Sequence, residues 1–216
     1  KADVQAYQRL TKIPITYISN QYTTKDASGK WIPVVDGLTS GATKPVDKTK
    51  GIFATNQNII NLKVSENLKG IGDYAFYNTG LKEITLSNGL RYIGTGAFEN
   101  CLSLEKADLD VTSNLTILGA WSFRNCQSLA SFVLPRGVET IGDSAFENCI
   151  AMHNLDLCSG GGTNHLKTLG RDVFKDCVSL RSLTFPNNCD QPVYMSCFRG
   201  CTALEWICAR NKQIQF

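Results

Sequence analysis

Hydrophobic and polar positions follow one order again and again along this chain. Three apolar residues with the spacing L-x-x-L-x-L occur at Ile59/Leu62/Val64, Leu81/Ile84/Leu86, Leu104/Ala107/Leu109, Leu129/Phe132/Leu134, Met152/Leu155/Leu157, Leu180/Leu183/Phe185 and Leu204/Ile207/Ala209. The last two members of each set are two residues apart, so they share one face of a predicted strand, and that face is interior. A second phrase alternates with the first: a short apolar strand, a turn, a small residue and a phenylalanine. It reads Ile71-Gly72-Asp73-Tyr74-Ala75-Phe76, Ile93-Gly94-Thr95-Gly96-Ala97-Phe98, Leu118-Gly119-Ala120-Trp121-Ser122-Phe123, Ile141-Gly142-Asp143-Ser144-Ala145-Phe146, Leu169-Gly170-Arg171-Asp172-Val173-Phe174 and Val193-Tyr194-Met195-Ser196-Cys197-Phe198. The six phenylalanines are 22, 25, 23, 28 and 24 residues apart, a period that predicts a solenoid and is too short for helical-pair repeats or propeller blades.

In such a coil the L-x-x-L-x-L strands pair with their neighbours as a parallel sheet, and the Gly-Ala-Phe segment returns on the opposite side. No single coil can bury its own apolar face, so stability comes from stacking. Length varies in one place per coil. From the last strand position to the next phenylalanine there are 12, 14, 12, 17 and 13 residues, whereas the forward distance stays at 10 or 11. Insertions therefore fall on one edge, the longest carrying Ser159-Gly160-Gly161-Gly162-Thr163-Asn164.

The repeated unit resembles the BspA-like, or Treponema-type, leucine-rich repeat, approximately L-x-x-I-x-(L/I)-P-x-x-(L/V)-x-x-I-G-x-x-A-F-x-x-C. The best match runs from Leu129 to Cys149, LASFVLPRGVETIGDSAFENC, and the resemblance covers about residues 59 to 209. It implies a leucine-rich repeat solenoid, of α/β class or mainly β: a right-handed coil with a parallel sheet on the concave face and short turns or short helices on the convex side. Members of that family are mostly secreted or surface-attached bacterial proteins, and several are adhesins, so an extracellular or cell-surface location is implied, with any signal peptide outside the numbered chain. The first copy departs in carrying Thr79 in place of cysteine, the third in Trp121-Ser122, and the sixth in losing Ile-Gly.

Residues 1–55 do not follow the repeat, and 56–216 form the repeat domain of about six repeats plus a terminal strand. The first segment has an alternating stretch from Ile13 to Ile18, a hairpin turn expected at Asp26-Ala27-Ser28-Gly29 and an apolar strand from Trp31 to Val35. It reads as an N-terminal cap over the open end of the solenoid, or a small β-module.

Composition narrows the chemistry. At 43% hydrophobic, 19% charged and net +3 the chain is an ordinary folded protein with too little charge to argue for nucleic acid, and no apolar run is long enough to span a bilayer. Of nine cysteines, Cys101, Cys126, Cys149, Cys177 and Cys201 each lie three residues after a repeat phenylalanine and are expected as an interior column, with Cys197 in an alanine slot. Cys158 and Cys189 follow consecutive strands, which leaves a disulfide between them open in an oxidising compartment. Cys208 takes an outward strand position. A thiol enzyme built on Cys158 and His165, with Asp156 nearby, is the remote alternative, lacking any motif for an oxyanion hole. No catalytic set, metal site or cofactor is predicted.

Residues alternating with the buried ones point outward: Asn61 and Lys63, Glu83 and Thr85, Lys106 and Asp108, Ser131 and Val133, Asn154 and Asp156, Ser182 and Thr184, Trp206 and Cys208. Stacked at about 4.8 Å per coil, they predict a polar strip on the order of 30 Å long. The candidate partner-binding residues are Lys63, Glu83, Thr85, Lys106, Asp108, Ser131, Asn154, Asp156, Ser182, Thr184 and Trp206. Their mixed chemistry, without runs of lysine or aromatics, favours a host extracellular-matrix or other surface protein, or a glycan, over nucleic acid. A non-catalytic monomeric binding module is expected, with a structural spacer as the alternative. Trp206 is the candidate anchor unless it packs on the tail 211–216.

Overall fold

A computed structural model of the protein describes residues 17–18, 23–25, 31–33, 47–51, 53–63, 68–110, 112–157, 165–185, 193–209 and 212–215. Most coils contribute two short strands, one to each of two parallel arrays. The first array comes from the L-x-x-L-x-L sets and is divided. β4 (Asn61–Lys63), β6 (Glu83–Thr85) and β8 (Lys106–Asp108) form one parallel sheet. β11 (Asn154–Asp156), β13 (Ser182–Phe185) and β14 (Trp206–Ala209) form another, which β15 (Lys212–Gln215) extends in antiparallel sense. The register advances one coil at a time, Glu83 beside Lys106 and Asn154 beside Ser182 beside Trp206.

The fourth copy is the exception. Residues 131–133 lie between the two sheets and are not themselves a strand, which corrects the expectation of an unbroken array. The centre of that copy is Phe132 where most others carry leucine or isoleucine. Its ring is tilted between Phe123 and Phe146, at centroid distances of 5.0 and 5.2 Å, so this coil fills its core with a larger side chain than a regular ladder accommodates.

The second array is continuous. β1 (Tyr17–Ile18), β5 (Gly70–Ile71), β7 (Tyr92–Ile93), β9 (Ile117–Leu118), β10 (Thr140–Ile141) and β12 (Thr168–Leu169) pair in that order, all parallel. β2 (Thr23–Lys25) and β3 (Trp31–Pro33) pair in antiparallel sense, and the turn expected at Asp26–Gly29 lies outside the described residues. Turns make the convex side, with 3-10 helices at Lys48–Lys50 and Met195–Phe198; no α-helix occurs among the described residues.

The core lies between the arrays and along the turns. Leu81, Ile84, Leu86, Leu129, Leu134, Met152, Leu155, Leu157, Leu180 and Leu183 are all buried, as the spacing requires. Val64 and the insertion 159–164 lie outside the described residues. The repeat phenylalanines stack face to face from Phe76 to Phe198 at 5.1 to 6.2 Å, and Phe53 joins them 5.2 Å from Phe76. The column therefore begins one coil earlier than the six copies read from the repeat. Backbone with positive φ brackets each of its central members, as with Trp121 (57°) and Asn125 (59°) on either side of Phe123. Glycines of the Ile-Gly pair serve close approach instead: a Cβ on Gly119 would lie 2.6 Å from the carbonyl carbon of Gly94 in the preceding coil.

Candidate functional site

By strand register, the residues that alternate with the central ones along the first array form two rows. One runs Asn61, Glu83, Lys106, and after the break Asn154, Ser182, Trp206; the other runs Lys63, Thr85, Asp108, and after the break Asp156, Thr184, Cys208. Glu83, Thr85, Lys106, Asp108, Ser131, Val133, Asn154, Asp156 and Trp206 are exposed, whereas Ser182 and Thr184 are half-buried. The exposure pattern of β6, β8 and β11 is out, in, out, as alternation demands. Lys63 is placed by its strand register beside Thr85.

The break gathers part of the strip into a cleft of about 440 Å³. Thr85, Lys106, Asp108 and Ser131 line it together with Val133, Asn88 and Asp110. Lys106 Nζ and Asp108 Oδ2 are 2.8 Å apart across its floor, and the hydrogen bond to Asp108, helped by that residue's charge and by Glu83, raises the lysine pKa. Asp110 accepts hydrogen bonds from the Thr112 hydroxyl at 2.6 Å and its backbone N–H at 2.7 Å, which hold its carboxyl below the ordinary value. Asn154, Asp156, Ser182, Thr184 and Trp206 lie on the other sheet, so the candidate residues divide into two groups. Ser182 donates to Asn154 Oδ1 at 2.8 Å. Trp206 pairs by its backbone with Gln215 of the tail, yet its side chain stays exposed.

The cysteine column is interior as expected, and it carries a hydrogen-bond ladder that spacing alone does not reveal. Each thiol faces the carbonyl of the preceding coil's phenylalanine: Cys101 to Phe76 at 3.1 Å, Cys126 to Phe98 at 3.2 Å, Cys149 to Phe123 at 3.3 Å, Cys177 to Phe146 at 3.1 Å and Cys201 to Phe174 at 3.0 Å. Thr79 fills the slot in the first copy, with its hydroxyl 3.2 Å from Cys101 Sγ. Burial pushes Cys101 and Cys201 up to about 11 and Cys149 to about 12, and raises Cys126, Cys177 and Cys197 as well. Such thiols are poor nucleophiles at neutral pH. Cys158 and Cys189 lie outside the described residues, and His165 is exposed.

Two more ladders lie on the turns. Asn148 donates to Asn125 at 2.9 Å, Asn125 to Asn100 at 2.7 Å and Asn100 to the Tyr77 hydroxyl at 3.2 Å. Residues directly after the phenylalanines form an alternating charge row: Arg124 lies 3.6 Å from Glu99 and 2.9 Å from Glu147, and Lys175 lies 2.6 Å from Glu147. The Arg124 Nε contact is an ion pair that is not aligned as a hydrogen bond. The Asn-Cys dipeptides at 100–101, 125–126 and 148–149 and the signs at 99, 124, 147 and 175 were the available sequence signals for both.

This geometry, repeated coil after coil, agrees with the family comparison. The description "BspA type Leucine rich repeat region (6 copies)" matches residues 49–163 and 161–215. The chain belongs to the BspA-type leucine-rich repeat family. The match begins at 49, in keeping with Phe53 as a member of the stack. Among solved structures, the chain is similar to the T. pallidum leucine-rich repeat protein, with 27% identity, a TM-score of 0.63 and coverage of 69% of each chain. It also matches a Bacteroides ovatus leucine-rich repeat protein at 23% identity and a TM-score of 0.47, over 69% of this chain and 42% of that one. A third match is a leucine rich cell surface protein of Faecalibacterium prausnitzii, at 17% identity and a TM-score of 0.36, over 74% and 62%. No curated protein matches. Among the described residues no helix is long and apolar enough to cross a membrane, and no group of three or more His, Cys, Asp and Glu is placed to hold a metal ion.

Proposed function

We propose that this BspA-type repeat is a non-catalytic recognition module of a secreted or surface-exposed protein, and that it binds another protein, or a glycan, along the strip that ends in the 440 Å³ cleft. The observation that carries this reading is the cleft itself: a concavity where the first array is divided, lined by exposed Lys106, Asp108 and Ser131 beside the apolar Val133. Mixed charge with an apolar contact suits a protein partner better than a polyanion. Trp206, exposed on the neighbouring sheet, supplies a second anchor. Residues 1–55 serve as a cap in this reading, supported by the pairing of Tyr17–Ile18 with the edge strand Gly70–Ile71.

The test is a binding screen of the purified chain against immobilised extracellular-matrix proteins and glycans, with a Trp206→Ala/Lys106→Glu variant alongside. Saturable binding that the variant loses supports the strip. Binding that the variant retains moves the site to the insertion edge, and absence of binding across the set favours a structural spacer.

A further inference from the structure

The convex side holds a second constellation, away from the strip. Lys48, on the 3-10 turn just before the first complete coil, places its ammonium 5.5 Å from the ring centroid of Tyr74, 5.6 Å from Tyr77 and 5.3 Å from Trp121. Both oxygens of Glu99 accept from it, at 2.8 and 2.7 Å. Glu99 is 2% exposed, and its other cation, Arg124, stands farther off at 3.6 Å. Three aromatic faces and a buried carboxylate converge on one nitrogen.

The cage depends on a gap in one column of side chains. Tyr74, Gly96 and Trp121 occupy the same position of three successive coils, all with positive φ (52°, 56° and 57°). For bulky aromatic residues that conformation is unusual and must be held by its surroundings. Gly96 leaves the slot between the two rings open: a Cβ there would collide with the Tyr74 ring and reach 3.1 Å from Glu99 Oε2. The slot is one side chain wide, and the Lys48 ammonium enters it.

We propose that Tyr74, Tyr77, Trp121 and Glu99 form a binding site for a primary alkylammonium group, with the chain's own Lys48 as resident occupant. The rings attract any organic cation through their quadrupoles. The carboxylate adds selectivity, because its two oxygens require N–H donors, which a quaternary ammonium lacks. Removing Lys48 leaves a desolvated carboxylate short of its nearest cation, and an added amine of similar shape restores the pair. The occupant also ties the turn at 48–50 to the coils of Phe76, Phe98 and Phe123, so the site acts as a latch for the segment that leads into the solenoid.

The test is chemical rescue of Lys48→Ala, read as the thermal midpoint by circular dichroism at constant ionic strength. n-Butylammonium chloride is expected to raise the midpoint saturably, by about 5 °C when the site is full. Tetramethylammonium chloride is expected to do less, and neither is expected to act on the wild type or on Lys48→Ala/Glu99→Gln. Should Lys48→Ala be unfolded alone, the readout becomes the regain of strand signal as n-butylammonium is added. A response equal in wild type and Lys48→Ala, or no saturable response in Lys48→Ala, overturns the site. Tetramethylammonium acting as strongly as n-butylammonium overturns its assignment to primary amines.

Discussion

Cysteine in this coil is chosen by two demands at once: the slot three residues after each phenylalanine is small and dry, and a carbonyl of the neighbouring coil points into it. A thiol meets both, and in the first copy the buried Thr79 fills the same slot, its hydroxyl in contact with the Cys101 thiol. Replacing Cys126 by threonine or by valine, which share one shape, isolates the donor. The valine variant is expected to be less stable than the threonine variant by about 1 kcal/mol, measured by urea unfolding, because Phe98 O loses one of its two donors. Equal stability of the two would reduce the ladder to packing. Glu147 gives a pH signature at the same scale. Burial raises its pKa, but hydrogen bonds from Lys175 and Ser144 and the charges of Arg124 and Lys175 outweigh that and hold it below the ordinary glutamate value. The unfolded chain therefore takes up this proton at a higher pH than the folded one. The stabilisation is complete above the ordinary value and is lost as pH falls through the folded value. Unfolding free energy measured between about pH 5 and 3 should drop less steeply in Glu147→Gln than in the wild type; identical slopes would contradict the assigned network. Period and residue type made the burial of these cysteines legible from sequence, whereas their hydrogen bonds depend on where the next coil's carbonyls fall, which spacing does not encode.

At the scale of the element, one strand set and one turn set explain most of the molecule. The L-x-x-L-x-L spacing placed the interior residues of β6, β8 and β11 correctly, because a two-residue period leaves no choice of face once the core side is known. It failed to register the break at 131–133, where the pattern is intact and the size of Phe132 decides instead. The repeat phrase passed over Phe53, since that coil lacks the Ile-Gly or Leu-Gly pair that marks the first five copies. The Ile-Gly phrase itself is set by crowding between coils. Gly119→Ala is expected to destabilise the protein by about 1–3 kcal/mol, because the new methyl meets backbone that cannot move without displacing a coil. Thermal unfolding checks this against a half-buried Gly137→Ala control, whose Cβ would lie 3.2 Å from the nearest carbonyl oxygen.

For the whole molecule, coil stacking buries one continuous core and leaves most of the described outward residues of the first array exposed. Six described cysteines are buried with raised pKa values, so these six thiols build the interior. Sequence reading reached the family and the outward rows, since both follow from repetition. It did not reach the cleft, which arises where one coil departs from the rest, nor the Lys48 cage, whose members come from four separate segments. Lys106 and Asp108 offer the most direct measurement of the proposed recognition strip, because they pair with each other on the exposed face. Exchanging them, Lys106→Asp with Asp108→Lys, preserves net charge and an ion pair while inverting the pattern presented to a partner. Titration of both proteins against the partner captured in the binding screen is predicted to show at least a tenfold loss of affinity, about 1.4 kcal/mol, with unchanged thermal stability. Equal affinity of the exchanged and wild-type chains would contradict recognition through the cleft.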